Sequence, residues 1–146
     1  MVWRGIGVGM SADGRGSSRL KTVGVILVVV AALMGFRHYH RLGCEREVRA
    51  KVVPMVQELP GYAEKGEVID GMFEKAHEVA FKITYAMGGR LTGEEFDQTK
   101  YEAVVFGVIH QLAERGGRVD IEDAVETLVE ARGIRPTEVA NLDEAL

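Results

Sequence analysis

The sequence predicts an all-α protein in which an N-terminal single transmembrane helix precedes a small three- to four-helix domain. Three observations support this prediction. An uninterrupted apolar run occupies residues 22–36, apolar residues recur every three or four positions further along the chain, and glycines separate the periodic segments. Helical periodicity that stops at glycine is typical of amphipathic helices joined by tight turns.

The apolar run, TVGVILVVVAALMGF, contains no charged side chain and lies between Lys21 and Arg37. A helix of fifteen residues at about 1.5 Å per residue covers roughly 22 Å, less than a hydrocarbon core of about 30 Å. Long basic side chains that reach the interface, together with local bilayer thinning, compensate for such a difference. Tyr39 and the basic residues up to about residue 42 suit that interfacial position. We therefore expect a membrane anchor rather than the buried core helix of a soluble protein.

A cleaved signal peptide is the main alternative to a retained anchor. Signal peptidase requires small residues directly after the apolar segment, whereas RHYHRLGC follows Phe36. Ala31 and Ala32 lie inside the run, and cleavage there would leave only a short apolar core. We therefore expect an uncleaved signal anchor. Its orientation stays open, because the basic residues before and after the run are similar in number, and Met10 is an alternative start.

Charge divides the chain into a basic and an acidic part. Residues 1–44 hold six basic side chains and one acidic side chain, a net charge of +5, and residues 45–146 hold twelve basic and twenty-one acidic side chains, a net charge of −9. A strongly acidic domain repels nucleic acid, so we predict no nucleic-acid binding. The expected segments are a disordered basic Gly-rich leader (1–21), the anchor (22–36), a juxtamembrane charged helix (37–60), a compact helical domain (61–135) and a tail with a frayed helical turn (136–146).

Three helices are expected within the compact domain. Pro54, just before it, lacks an N–H and is expected to kink or restart the juxtamembrane helix. The middle helix of the domain contains the segment AVVFGVI, so we predict a central position for it, with Val105 and Val108 buried. A capping box at 92–95 and a cap at Asp120 mark the starts of the second and third helices. The expected bounds are 66–87, 93–115 and 120–131.

A Glu-x-x-His unit, Glu74 to His77, lies on the first of these helices and is the unit that di-iron helix bundles use. Such bundles need a second unit, but three residues before His110 the chain has Gly107 rather than Glu. We therefore predict no metal site, no cofactor and no catalytic residue, and place His77 at the edge of the apolar face beside a solvated Glu74. Glu74, His77 and His110 remain the candidates for a metal-binding alternative.

The loop around Gly89 resembles the second half of an EF-hand calcium loop. When the two are superimposed, Gly89, Leu91 and Glu95 fall on the sixth, eighth and twelfth loop positions. The first, third and fifth positions supply almost no side-chain oxygen, and the similar junction at Gly117 has the same defect. Calcium binding is therefore not predicted.

The function expected from these features is that of a single-pass membrane-anchored helical interaction or scaffold module. Its expected partners are membrane lipid and either another protein or a second copy of the chain, which the small-xxx-small pair Ala31 and Gly35 would help to bring close. Cys44, the only cysteine, forms no recognisable nucleophilic constellation, so an enzyme is not predicted. Two alternatives stay open: a small metal-binding helical protein, di-iron-like or degenerate EF-hand-like, and a secreted helical domain left after signal cleavage.

Overall fold

The computed structural model describes residues 15–88 and 96–146, and within these ranges it contains five helices and no strand. The predictions of an all-α fold and of one long apolar N-terminal helix are confirmed. The helices are α1 (Arg15–Gln57), α2 (Tyr62–Gly88), α3 (Gln98–Arg115), α4 (Val119–Arg132) and the short α5 (Leu142–Ala145).

Helix α1 is longer than any segment predicted for that region. It begins at Arg15, so residues 15–21, which were expected to belong to a disordered leader, are helical; residues 1–14 lie outside the described part of the chain. Extending an existing helix is favourable, because each added residue gains a hydrogen bond without a new nucleus. The helix also continues through Pro54 to Gln57 without a restart. Proline removes one N–H donor here, and the helix ends within one further turn.

Two compact units divide the chain between Tyr39 and His40. The first contains the apolar part of α1. The second runs from His40 to Leu146, and it extends beyond the expected 61–135 domain on both sides. Its hydrophobic core includes an apolar stripe of α1, one residue of the turn that follows α1, and one side chain of α5: Val48, Val52, Met55 and Val56, then Leu59, and Leu142.

Helix α2 begins four residues before the expected start and is kinked at Lys65, where φ is −124° and ψ is 17°. Its predicted apolar face is buried at Ile69, Phe73, Ala76 and Ala80. Val79 and Phe81 lie off that face and are also buried, so α2 is covered on more sides than a single amphipathic stripe requires.

Helix α3 is the central helix of the second unit and packs against both α2 and α4. Val105 and Val108 are fully buried on it, as predicted. The cap at its start is Asp97, whose carboxylate accepts a hydrogen bond from the backbone N–H of Lys100 at 3.0 Å. The capping box predicted at 92–95 lies outside the described residues.

A three-residue turn, residues 116–118, joins α3 to α4. Gly117 adopts a positive φ of 62°, and the N–H of Arg118 donates to the carbonyl oxygen of Ala113 at 2.8 Å. Arg118 occupies the N-cap of α4 without a side-chain cap, so the cap predicted at Asp120 is wrong. Asp120 lies instead in the first turn, where its carboxylate forms an ion pair with Lys65. Gly133 ends α4 in a left-handed conformation, a backbone geometry that favours glycine.

Candidate functional site

The apolar part of α1 exposes its large hydrophobic side chains on every face. From Val23 to Phe36 these side chains are 41–69% exposed. Within the described ranges, one helix is long and apolar enough to cross a membrane, and its candidate span is Lys21–Gln57. An apolar surface of this extent is typical of a site that contacts lipid or another protein.

His77 is buried, with 4% of its surface exposed, and it lies in the interior rather than at the edge of the apolar face. Its Nε2 lies 3.2 Å from a carboxylate oxygen of Glu45, and its Nδ1 is hydrogen-bonded to the hydroxyl of Tyr101. A carboxylate accepts hydrogen bonds, so Nε2–H donates to Glu45, and in the neutral imidazole Nδ1 accepts the hydrogen bond of the Tyr101 hydroxyl. Both ring nitrogens of His77 therefore have protein partners.

Burial raises the pKa of the Tyr101 hydroxyl well above its ordinary value, because the phenolate would lose its hydration. The ring of Tyr101 meets that of His77 edge to face, with centroids 5.8 Å apart, and Phe81 stacks on His77 at 5.7 Å. The guanidinium of Arg41 lies 5.6 Å from the centre of the Phe81 ring. This aromatic cluster is packed and hydrogen-bonded, and it has the character of core structure rather than of a ligand site.

Glu74 does not join His77 in a shared site. Its carboxylate forms an ion pair with Arg49 and stays about half exposed, with 55% of the side chain accessible. The Arg49 guanidinium also lies over the ring of Phe73, 5.7 Å from its centre. The predicted Glu-x-x-His unit on α2 thus contacts α1 through Glu74, and both α1 and α3 through His77.

His110 lies elsewhere, on the side of α3 that faces α4. Its Nε2 is 3.5 Å from a carboxylate oxygen of Glu122 and 3.3 Å from one of Glu126. One ligand atom from each of the three residues can be chosen so that all lie within 4.8 Å of one another. The structure therefore separates His110 from the other two candidates and places it with two carboxylates that the sequence analysis did not select.

A cavity of about 440 Å³ adjoins this cluster, between α3, α4 and the chain that follows α4. The carbonyl oxygen of the Gln111 side chain is buried there and has no hydrogen-bond partner within the described residues. Arg115 also lines the cavity, but its guanidinium is paired with Asp143. The lining residues are Gly107, His110, Gln111, Glu114, Arg115, Glu126, Val129, Pro136 and Glu138.

Cys44 is half-buried, and its Sγ lies 3.6 Å from Nδ1 of His40, one helical turn earlier. Burial, followed by the negative charge of Glu47, raises the pKa of this thiol. The thiolate form required of a nucleophile is therefore disfavoured.

The EF-hand resemblance has no structural counterpart at Gly117, because the turn between α3 and α4 is far shorter than a twelve-residue loop. The junction around Gly89 lies in residues that the structure does not describe. Comparison of the chain with protein-family models, with curated proteins and with solved structures gives no significant match.

Proposed function

We propose that the chain is a single-pass membrane protein whose helical unit, residues 40–146, acts as an interaction module at the membrane surface. The observation that supports this most strongly is the exposure of the apolar side chains between residues 22 and 36. In the second unit, by contrast, valines of the same kind are fully buried, as at Val105 and Val108. The chain thus buries its apolar side chains in one unit and leaves them uncovered in the other.

Burial energetics favour a bilayer around the exposed run. A large aliphatic side chain gains about 1.5–3 kcal/mol when it leaves water. Ten large hydrophobic residues between Val23 and Phe36 are exposed, so their transfer into lipid outweighs the dehydration of the single hydroxyl, that of Thr22. Helical backbone is also a structure that lipid tolerates, because its N–H and C=O groups bond to each other.

The length of α1 supports a span despite the short apolar run. The helix starts before Lys21 and continues beyond Arg37, so helical backbone is available to cross the whole hydrocarbon core. Lys21 and Arg37 have long stems that place their charges at the headgroups. We therefore propose lipid as the first partner of this chain.

The partner of the helical unit is proposed to be a protein or a second copy of the chain. Its net negative charge disfavours nucleic acid, which carries the same sign. Ala31 and Gly35 offer a close-approach face for a second anchor, and a Cβ added at Gly35 would contact nothing within 4 Å in the single chain. Gly35→Leu should reduce a dimer in mild detergent, measured by light scattering. Ala32→Leu, an equally exposed small residue about 100° around the helix from Ala31, should leave the dimer largely intact.

Two matched valines test the anchor itself. Val28 in α1 is 69% exposed and Val119 in α4 is 62% exposed, so either accepts arginine without a steric clash inside the chain. An arginine at the centre of a membrane helix opposes insertion by about 2.5–3.5 kcal/mol. Val28→Arg should therefore shift the protein from the carbonate-resistant membrane pellet to the supernatant, and Val119→Arg should stay in the pellet. Equal extraction of both variants and the parent would refute the anchor, and recovery of a shorter soluble product would indicate signal cleavage.

A further inference from the structure

We propose that His110, Glu122 and Glu126 bind one divalent transition-metal ion, with zinc as the best fit. This inference goes beyond the anchoring role and does not depend on it. Helix α3 supplies the imidazole, and α4 supplies two carboxylates one turn apart, a spacing that places them on the same face of a helix. The site thus bridges the two helices at the place where they pack together.

The distances match those of a metal site. Nε2 of His110 lies 3.5 Å and 3.3 Å from oxygens of Glu122 and Glu126. In a tetrahedral zinc site with bonds of about 2.0–2.1 Å, neighbouring ligand atoms are roughly 3.3 Å apart. The two distances from His110 thus fit a shared ion, and all three ligand atoms lie within 4.8 Å of one another.

The negative charge of the carboxylates around His110 favours a divalent metal ion at this point. Nε2 of His110 makes one hydrogen bond, with Glu126 at 3.3 Å, whereas a metal ion in place of the hydrogen would accept a lone pair from each of the three groups. Glu114 and Glu138 line the adjoining cavity and add negative charge to it. The Arg115 guanidinium, the basic group on that lining, is already paired with Asp143.

Gln111 provides a second, independent observation. It lines the same cavity as His110 and Glu126, and its Oε1 is buried without a hydrogen-bond partner in the described part of the chain. Three protein ligands leave a fourth position of a zinc ion open to water. A water molecule held there would be a hydrogen-bond donor in the cavity that Gln111 lines.

The ligand set selects the class of metal. Calcium and magnesium prefer all-oxygen sites, and calcium takes six to eight such ligands. One imidazole with two carboxylates suits zinc, and also manganese and ferrous iron, better. We therefore use zinc as the probe and calcium as the comparison.

The experiment titrates zinc into the full-length protein in mild detergent and measures bound metal by mass spectrometry and affinity by competition with a chromogenic chelator. We expect about one equivalent for the parent protein. His110→Gln and Glu126→Gln should each weaken zinc binding at least tenfold. Glu130→Gln, which removes an exposed carboxylate one turn further along α4, should change the affinity less than twofold. Circular dichroism establishes that the variants are folded, and Glu126 is exposed enough for folding to be unaffected by its substitution.

His40 and Cys44 are a second pair of potential zinc ligands, so the titration is repeated with Cys44→Ser. Retention of the zinc equivalent in Cys44→Ser supports the site at His110. The proposal is overturned if the parent binds no zinc, if His110→Gln and Glu126→Gln bind it as the parent does, or if Cys44→Ser abolishes binding. Calcium that binds as tightly as zinc and is unaffected by His110→Gln would also overturn it, because the imidazole would then play no part.

Discussion

Thr137 crosses α3 directly over Gly107. Its backbone N–H donates to the carbonyl oxygen of Ala103 at 2.9 Å, and its own carbonyl oxygen occupies the space that a Cβ on residue 107 would need. A backbone hydrogen bond thus holds the segment after α4 against the central helix α3. Gly107, which the sequence analysis noted only because Glu is missing there, makes this close approach possible.

Gly107→Ala should therefore destabilise the protein, although alanine is the better helix former. A methyl group against fixed backbone forces Thr137 away and breaks its bond to Ala103, and such overpacking costs about 1–3 kcal/mol. Gly71→Ala, in α2, is the matched control, because a Cβ at residue 71 would have no contact within 4 Å. It should be neutral or stabilise by up to about 1 kcal/mol. Urea unfolding of both variants measures the difference, and equal stabilities would contradict the close approach.

Val108→Asp tests the central position of α3. Val108 is fully buried, so an aspartate there would place an unpaired carboxylate in the core, at a cost of several kcal/mol. This is a large part of the roughly 5–15 kcal/mol that stabilises a typical domain. Val119→Asp makes the same change at an exposed site in the first turn of α4, where negative charge is tolerated or favoured. Thermal melts should show a severe loss for the first variant and almost none for the second. Similar melting of both would place the 103–109 segment at the surface.

Local sequence patterns predicted the main helices of this fold, but neither their exact starts nor the partners of their side chains. Periodicity predicted the burial of Val105 and Val108, and glycine marked the ends of α3 and α4. These features depend on residues a few positions apart. The position of Thr137 over Gly107 depends on packing between separate segments, which no periodicity encodes.

The sites illustrate the same limit. Tyr101 and Glu45 lie 24 and 32 residues from His77, so no local sequence pattern indicates that they are its hydrogen-bond partners. Glu122 and Glu126 did carry a signal, an acidic pair one turn apart, but His110 joins them from another helix. The Glu-x-x-His motif was easier to recognise, but its two side chains contact different partners.

Tyr101→Phe tests the buried hydrogen-bonded chain through its pH dependence. Burial raises the pKa of the Tyr101 hydroxyl above its ordinary value of 10.0. The folded protein therefore keeps this proton to a higher pH than the unfolded chain does. The contribution of this protonated hydroxyl to the free energy of unfolding is therefore complete below about pH 10. It falls as the pH rises further, by about 1.4 kcal/mol for each pH unit.

At pH 7, Tyr101→Phe should be less stable than the parent by about 1–3 kcal/mol, because Nδ1 of His77 loses its donor. Above pH 10 the difference in the free energy of unfolding between parent and variant should narrow, since only the parent has a Tyr101 hydroxyl that ionises in the unfolded chain. Urea unfolding at pH 7, 9, 10 and 11 measures the gap. Tyr62→Phe is the control. The hydrogen bond to Asp70, at 2.8 Å, also raises the pKa of Tyr62, but this hydroxyl lies at the surface, so its pH effect should have the same sign and be smaller. A constant gap for Tyr101→Phe would contradict the burial of its hydroxyl.

The central claim is that residues 22–36 remain in the protein and cross the membrane, and accessibility of cysteines on the two sides tests it most directly. In a Cys44→Ser background, Ser17→Cys precedes the apolar run, and Thr99→Cys occupies an exposed position on α3. A membrane-impermeant maleimide is applied to sealed vesicles of both orientations. We predict that each cysteine reacts in only one kind of vesicle, either right-side-out or inside-out. The cysteine at residue 17 and the cysteine at residue 99 should react in different kinds. Reaction of both cysteines from the same side, or a mature protein that lacks residue 17, would contradict the account.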